Sequence, residues 1–275
     1  MSEPFTVSKG EAGQDILSFL ARRASLSRKK AKALLDSRNV LVNRRRVWMA
    51  RHSLAAGDIV TLSAGADPTP DVSIPRLFED KEYLVVNKPP GILSDDRHSV
   101  ESILRERLGL PSLRAVHRLD RDTSGCLWLA RHSEALDRAV ELFRRRQVMK
   151  LYHAVVLGRL RPPEQTVTLP IEGMPTVTRL RTLDSSRTAS HIALRIETGR
   201  THQIRRHLCS LGHPVLGDKS YGFTSRDLPV EHVPPRQMLH ASVIEFTHPL
   251  TNRRIRAEAP LPNDFRRCLA RFGLT

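Results

Sequence analysis

Residues 117–125 read HRLDRDTSG. This short stretch holds two arginines, two aspartates and two hydroxyls, and it closes on a glycine. Apolar segments lie on either side. A polar loop of this composition, held between sheet strands, is where a rigid scaffold presents a reactive side chain. Asp120 is a better candidate than Asp122, because Leu119 and the apolar flank turn it inward. Arg118 and Arg121 suit phosphates, and Arg118 suits entry into a base stack equally well. On residue types alone the loop also reads as a tight turn, with Asp120 bonding backbone amides. Composition by itself leans towards that simpler reading.

Working outward, the chain around the loop mixes strands and helices. Residues 83–87 (YLVVN) form a strand stopped by Lys88-Pro89-Pro90-Gly91, a turn that ends regular structure. Residues 126–130 are a second apolar strand. Ser133 is placed to cap a helix whose stripe is Leu136, Ala139, Val140 and Phe143, ending in Arg144-Arg145-Arg146. Residues 151–157 and 191–197 alternate as strands. Residues 201–211 read as a helix with Ile204, Leu208 and Leu211 inward and Gly212 beyond its end. Strands at 239–246 and 254–258 and a last helix at 263–271 complete a sheet with helices outside.

Upstream lies a different kind of segment. Residues 1–63 hold 12 Lys+Arg against 5 Asp+Glu, net +7. The whole chain of 275 residues has 45 Lys+Arg and 29 Asp+Glu, net +16. The first part is therefore more than twice as basic per residue as the remaining 212, which carry the other +9. Ile16, Leu17 and Leu20 recur at helical spacing. Ser27 caps a second helix over 28–37, with Ala31, Leu34 and Leu35 apolar and Arg28, Lys29 and Lys32 off that stripe. A strand at 40–42 precedes Arg44, Arg45 and Arg46, and Gly57-Asp58 turns into a strand at 59–62. Two cationic runs in one small unit favour a phosphate-binding surface over a merely solvated face. Residues 64–75 (AGADPTPDVSIP) carry no Lys or Arg and read as a linker. The expected division is a tail at 1–12, a small basic domain at 13–63, a linker at 64–76 and a large domain at 77–275.

Several classes are excluded. No apolar run approaches the ~18 residues needed to span a bilayer, and the N-terminus lacks a secretory pattern. The three cysteines, Cys126, Cys209 and Cys268, are odd in number and far apart. That argues against disulfides or a zinc site and fits a reducing cytosol. No G-x-x-x-x-G-K-[ST] or H-E-x-x-H occurs, since Asp218 stands before Lys219 and His202 and His207 are five apart. No metal or cofactor is expected. The charge surplus asks for a polyanion, first of all nucleic acid.

Residues 117–125 resemble the H-R-L-D-x-x-T-S-G motif of the RluA-type pseudouridine synthases. Further blocks resemble that family in order: 84–91 (LVVNKPPG), 150–158 (KLYHAVVLG), and 197–205 (ETGRTHQIR) continuing through Gly217-Asp218 and Tyr221-Gly222. The last are 239–241 and 246–249. The upstream unit resembles the S4 RNA-binding domain at Ser27-Arg28, Ala31, Leu34, residues 40–43 and residues 57–60. Asn39 and Arg44 stand there where that family usually has glycine.

The resemblance implies an α+β chain: a small S4 domain, then a synthase domain with a mixed, mostly antiparallel sheet flanked by helices. It implies that Asp120 is the catalytic nucleophile on the uridine or its ribose, the base being detached, rotated and rejoined through C5. Tyr152 would pack on the base and Arg205 would pair with the carboxylate. Arg118 would fill the space of a flipped nucleotide. An arginine beside a carboxylate favours its charged form, and flipping a base costs a few kcal/mol that an aromatic pocket recovers. Arg28, Lys29, Lys32, Arg44, Arg45 and Arg46 would hold RNA. The expected protein is a cytoplasmic monomer acting on RNA, ribosomal first and transfer RNA second. A non-catalytic RNA-binding or ribosome-assembly protein is the competing reading; intact Asp120, Tyr152 and Arg205 weigh against it.

Overall fold

The computed structural model describes residues 4–36, 39–62, 72–224, 228–229 and 232–275. It divides into two compact units, residues 1–72 and 73–275.

In the first unit β1 (Phe5–Thr6), α1 (Ile16–Arg23), α2 (Arg28–Asp36), β2 (Val40–Val42), β3 (Arg45–Arg46) and β4 (Ile59–Leu62) follow in order. The strands pair as β1-β4-β2-β3. Phe5 pairs with Val60 and Thr6 with Ile59, so the expected tail at 1–12 contributes an edge strand. Asp15 caps α1 by accepting the Ser18 N–H at 2.9 Å, and Ser27 accepts the Lys30 N–H of α2 at 3.2 Å. Each helix turns a narrow apolar stripe inward: Ile16, Phe19 and Leu20 from α1, Ala31 and Leu35 from α2, packed with Val40 and Val60. The β2–β3 hairpin closes through Asn43 and Arg44 at φ 51° and 65°. That is the paired left-handed geometry of a two-residue hairpin, which a non-glycine residue enters only at a cost. Asn43 offsets the cost by donating from Nδ2 to Asp58 at 2.8 Å and accepting the Ile59 N–H at 2.9 Å.

The second unit runs β5 (Arg76–Glu79), β6 (Tyr83–Lys88), α3 (Val100–Leu108), β7 (Arg114–Ala115), β8 (Ser124–Ala130), α4 (Ser133–Arg144), β9 (Met149–Leu157), β10 (Glu164–Val167), β11 (Thr178–Ser185), β12 (Ala189–Ile196), α5 (Gln203–Ser210), β13 (Leu239–Thr247), β14 (Arg254–Glu258) and α6 (Asn263–Arg271). Of the linker expected at 64–76, residues 64–71 lie outside the described residues, and Arg76 already opens β5. Among the described residues the sheet has the order β10-β11-β12-β9-β13-β8-β6-β5, with β14 on β13 and β7 on β8. The β13–β8 pair is parallel; the other pairs are antiparallel. The mixed, mostly antiparallel sheet is thus as expected.

Strand β8 is buried along its whole length, as a near-continuous apolar run covered on both faces should be. Trp128 stacks on Phe246 with ring centroids 3.7 Å apart, and the small Ala135 and Ala139 let α4 approach this cluster. Two details of α4 depart from expectation. His132, not Ser133, is the N-cap, and Val140 lies exposed while Ala135 faces the core. Helix α6 buries Phe265, Cys268 and Leu269 against Val155, Leu216 and Met238. Where β8 meets β13 in parallel, Gly125 stands at φ +113°, and a Cβ there would lie 2.1 Å from the Ala241 carbonyl oxygen. Only glycine permits that approach.

Candidate active site

Residues 116–123 form the loop between β7 and β8, and side chains from three separate segments fix its backbone. At one end Ser94 Oγ donates to Leu119 O at 3.0 Å and accepts the Leu119 N–H at 2.9 Å. In the middle Arg121 O accepts both Lys88 Nζ and the Gly91 N–H, each at 2.9 Å. Lys88 is fully buried and also donates to Pro89 O at 2.9 Å and Ile92 O at 2.6 Å. Burial pulls its pKa down to about 7, against the opposing pull of the Asp122 charge. At the far end Arg236 Nη1 donates to Asp122 O at 2.9 Å, while its Nε and Nη2 bind Asp264 at 2.7 and 3.0 Å. Burial opposes the Asp264 charge, but the bonds from Arg236 outweigh it and hold its pKa below the ordinary value. The loop is a clamped scaffold, not a free turn.

Asp120 projects from this loop with its side chain 26% exposed. Its Oδ2 accepts Arg205 Nη1 at 2.9 Å, with Gln237 Nε2 at 3.5 Å. Its Oδ1 faces His202 Nε2 at 3.7 Å. Arg205 comes from the first turn of α5 and is gripped from behind. Its Nε and Nη2 donate to Asp218 at 2.6 and 2.7 Å, and the Asp218 side chain is fully buried. The Tyr221 ring lies 5.0 Å from the guanidinium, and the Tyr221 hydroxyl bonds His202 Nδ1 at 2.9 Å. Burial works against the Arg205 charge, yet the hydrogen bonds to Asp218 and then Asp120 prevail and raise its pKa above the usual arginine value. A fixed cation therefore stands against one oxygen of Asp120.

The start of α5 is set by its own side chains. Gln203 accepts Thr198 Oγ1 at 2.7 Å and donates to Val177 O at 3.1 Å and Thr178 Oγ1 at 3.0 Å. His207, one turn on, bonds Thr178 Oγ1 and Leu169 O, both at 2.9 Å. These ties join α5 to β11 and keep Arg205 in register with the loop.

Tyr152 comes from the central strand β9, where it pairs with Leu194 on one side and Ala241 on the other. It is buried, and burial, then the charge on Asp120, raises its phenol pKa well above the ordinary value. The hydroxyl stays protonated at neutral pH. Arg118 lies at the rim, 74% exposed, with Nε 2.9 Å from Asp95 Oδ1. Arg118, Asp120, Tyr152 and Arg205 all line one cleft. A carboxylate with one oxygen on a cation and the other open to a cleft over an aromatic floor suits attack on a flat, polar substrate.

The sequence reading thus brings its four large-domain residues to one place. His117, the first residue of the motif, is elsewhere: its Nε2 accepts the Trp128 N–H at 3.2 Å, and burial, then the Lys150 charge, pulls its pKa down to about 3. Asp218, His202, Gln237 and Arg236 were given no role from sequence. Asp218 did carry a signal, since Gly217-Asp218 lies in the block that resembles the family; in the structure Gly217 stands at φ +76°, and a Cβ there would lie 2.1 Å from Arg236 O. The six cations of the first unit, Arg28, Lys29, Lys32, Arg44, Arg45 and Arg46, are exposed on α2 and at the β2–β3 hairpin.

This fold, with an arginine-paired aspartate above a buried tyrosine, defines an enzyme rather than a binding module alone. Comparison with known proteins gives the class. The family described as RNA pseudouridylate synthase matches residues 82–210. The "Ribosomal large subunit pseudouridine synthase D" of Vibrio vulnificus is 31% identical over 296 residues, covering 94% of this chain and 91% of that protein. The solved structure "Human RNA Pseudouridylate Synthase Domain Containing 4" is 26% identical, with TM-score 0.63 over 73% of this chain and 94% of that one. "Human RNA Pseudouridylate Synthase Domain Containing 1" is 29% identical, with TM-score 0.60 over 74% and 90%. The chain belongs to the RNA pseudouridylate synthase family. It is an isomerase that converts uridine in RNA to pseudouridine.

Proposed function

We propose that this chain modifies uridines of large-subunit ribosomal RNA, with Asp120 as the nucleophile and the first unit as an S4-type docking domain. The observation that carries the chemistry is the Arg205 guanidinium held between Asp218 and Asp120 in the lining of the cleft. Asp120 attacks C1′ of the nucleotide as the N1–C1′ bond breaks and the base leaves as an anion. The detached base turns and rejoins through C5: as C5 attacks C1′, the Asp120–C1′ bond breaks and the carboxylate is regenerated. The C5 hydrogen then leaves as a proton and N1 gains one, so atoms and charge balance with no oxidant or hydrolytic water. Arg205 stabilises the carboxylate and reorients little, because Asp218 fixes its other edge. Tyr152, neutral and buried, supplies the surface on which the base turns. Arg118 at the rim occupies the stack that the flipped nucleotide leaves.

The ribosomal target is supported by relatives named for the large ribosomal subunit, which align with this chain over 94% of its length, first unit included. Three free thiols fit work in the cytoplasm, and we propose a monomer there. Among the described residues no helix is long and apolar enough to cross a membrane. The test is to map pseudouridine in total RNA from cells lacking the gene, complemented with the native chain or with Asp120→Asn. Loss at large-subunit positions, restored by the native chain alone, is expected. Loss confined to transfer RNA overturns the target.

A further inference from the structure

The chemistry leaves one aromatic side chain of the first unit without a task. The chain has 2 Trp, 3 Tyr and 8 Phe, and Trp48 alone of them is exposed, at 53%. It follows the edge strand β3, and Met49 beside it is 60% exposed. The segment carrying it is anchored on both sides. Val47 is buried and its N–H donates to Val40 O at 2.9 Å, His52 N donates to Met49 O at 3.0 Å, and Ile16 N donates to His52 O at 2.9 Å. Leu54 closes the segment in the core. A large aromatic ring left in water is unusual, since apolar surface favours burial. Here a fixed backbone carries the indole outward.

Its neighbours name the partner. Residues 44–51 read RRRVWMAR, with four arginines and no acid, and all four arginines are exposed. An apolar protein partner would need a wider patch than Trp48 and Met49 provide amid these charges. Cations that track phosphates beside an aromatic face are the combination that holds unpaired nucleotides, because every base offers a π-face. Arginine beside such a stack adds a cation–π contribution.

We propose that Trp48 is a base-stacking site, on which an unpaired nucleotide of the RNA lies while Arg44, Arg45, Arg46 and Arg51 hold the flanking phosphates. The proposal rests on RNA docking by the first unit and adds what that unit reads: an unpaired base, not duplex backbone alone.

Fluorescence of the full chain isolates the site, because Trp128, the other tryptophan, is 0% exposed inside the large sheet. The probes are a stem–loop RNA with an unpaired loop and a blunt RNA duplex of equal nucleotide number. The stem–loop is expected to quench Trp48 emission and the duplex to leave it unchanged. Trp48→Ala should weaken stem–loop binding roughly five- to a hundred-fold and leave duplex binding as it was, and Trp48→Phe should recover most of the loss. Arg44→Ala/Arg45→Ala/Arg46→Ala should weaken both probes. If that triple variant loses both probes while Trp48→Ala loses neither, or loses both equally, stacking is overturned and docking stands. If the triple variant loses neither, docking by this unit fails and the stacking proposal falls with it.

Discussion

Asp218→Asn asks whether the site is organised from behind Arg205. The native carboxylate takes two guanidinium bonds at 2.6 and 2.7 Å and the N–H groups of Ser220 at 2.9 Å and Tyr221 at 3.3 Å. Asparagine keeps the shape but offers one carbonyl oxygen and an amide that must face an N–H donor. Removing one partner of a buried ion pair costs roughly 3–5 kcal/mol, and Asp120 remains to hold one edge of Arg205. A loss of about 3 kcal/mol is therefore expected. For a unit of 150–250 residues that lowers Tm by roughly 6–12 °C, at about 2–4 °C per kcal/mol. Arg205, released on one edge, shifts with Asp120, and a displacement of ~1 Å at a reacting group costs on the order of 100-fold in rate. The assay is single-turnover release of the uridine C5 hydrogen from saturating labelled RNA, beside filter binding and a thermal melt. The expected result is a lower melt, a rate down about 100-fold and unchanged RNA affinity. A wild-type rate, whether or not the melt falls, refutes the idea that Asp218 positions the reacting groups.

Other outcomes follow from local geometry. Gly125→Ala places a methyl 2.1 Å from Ala241 O at φ +113°, so overpacking and backbone strain together should cost roughly 2–6 kcal/mol; an unchanged urea midpoint would mean that β8 and β13 do not approach so closely. His117 and His240 are buried with pKa values pulled down to about 3 and about 4. Their folded values lie below the unfolded ~6.5, so the folded state binds fewer protons and stability present above pH 6.5 is lost as pH falls towards 4. Urea melts should show a loss of roughly 1.5–2 kcal/mol per histidine between pH 7 and 5, and equal midpoints at the two pH values would count against it. Neutralising Arg28, Lys29 and Lys32 should flatten the slope of log Kd against log salt by about 0.7–0.9 for each phosphate no longer neutralised; an unchanged slope removes α2 from the interface.

Much of the fold was legible because its signals are local. α6 and β14 fall at their expected residues, since Asn263–Arg271 has one apolar stripe and Arg254–Glu258 alternates cleanly. α3 went unread, although Ser99 caps it and Val100, Ile103 and Leu104 are buried at helical spacing. β10 and β11 were also missed: β10 (EQTV) has a single apolar residue, and in β11 the alternation of Thr178–Arg181 lapses at the exposed Leu183. In the site, Asp120, Tyr152 and Arg205 were legible through motifs that carry their own spacing. The partners that hold them were not. Asp218 reaches Arg205 across 13 residues and Arg236 reaches Asp264 across 28, and no periodicity links such pairs. His117 shows the converse: a motif residue with obvious chemistry that packs beneath the site, its ring 5.3 Å from Phe143.

The central claim is that the Asp120 carboxylate, and not the cleft around it, does the chemistry. Asp120→Asn keeps the side-chain shape and an acceptor for Arg205 while removing the nucleophilic charge. Measured in single turnover with saturating RNA, this variant should bind RNA as the native chain does and release no C5 hydrogen. Release at the native rate would contradict the account.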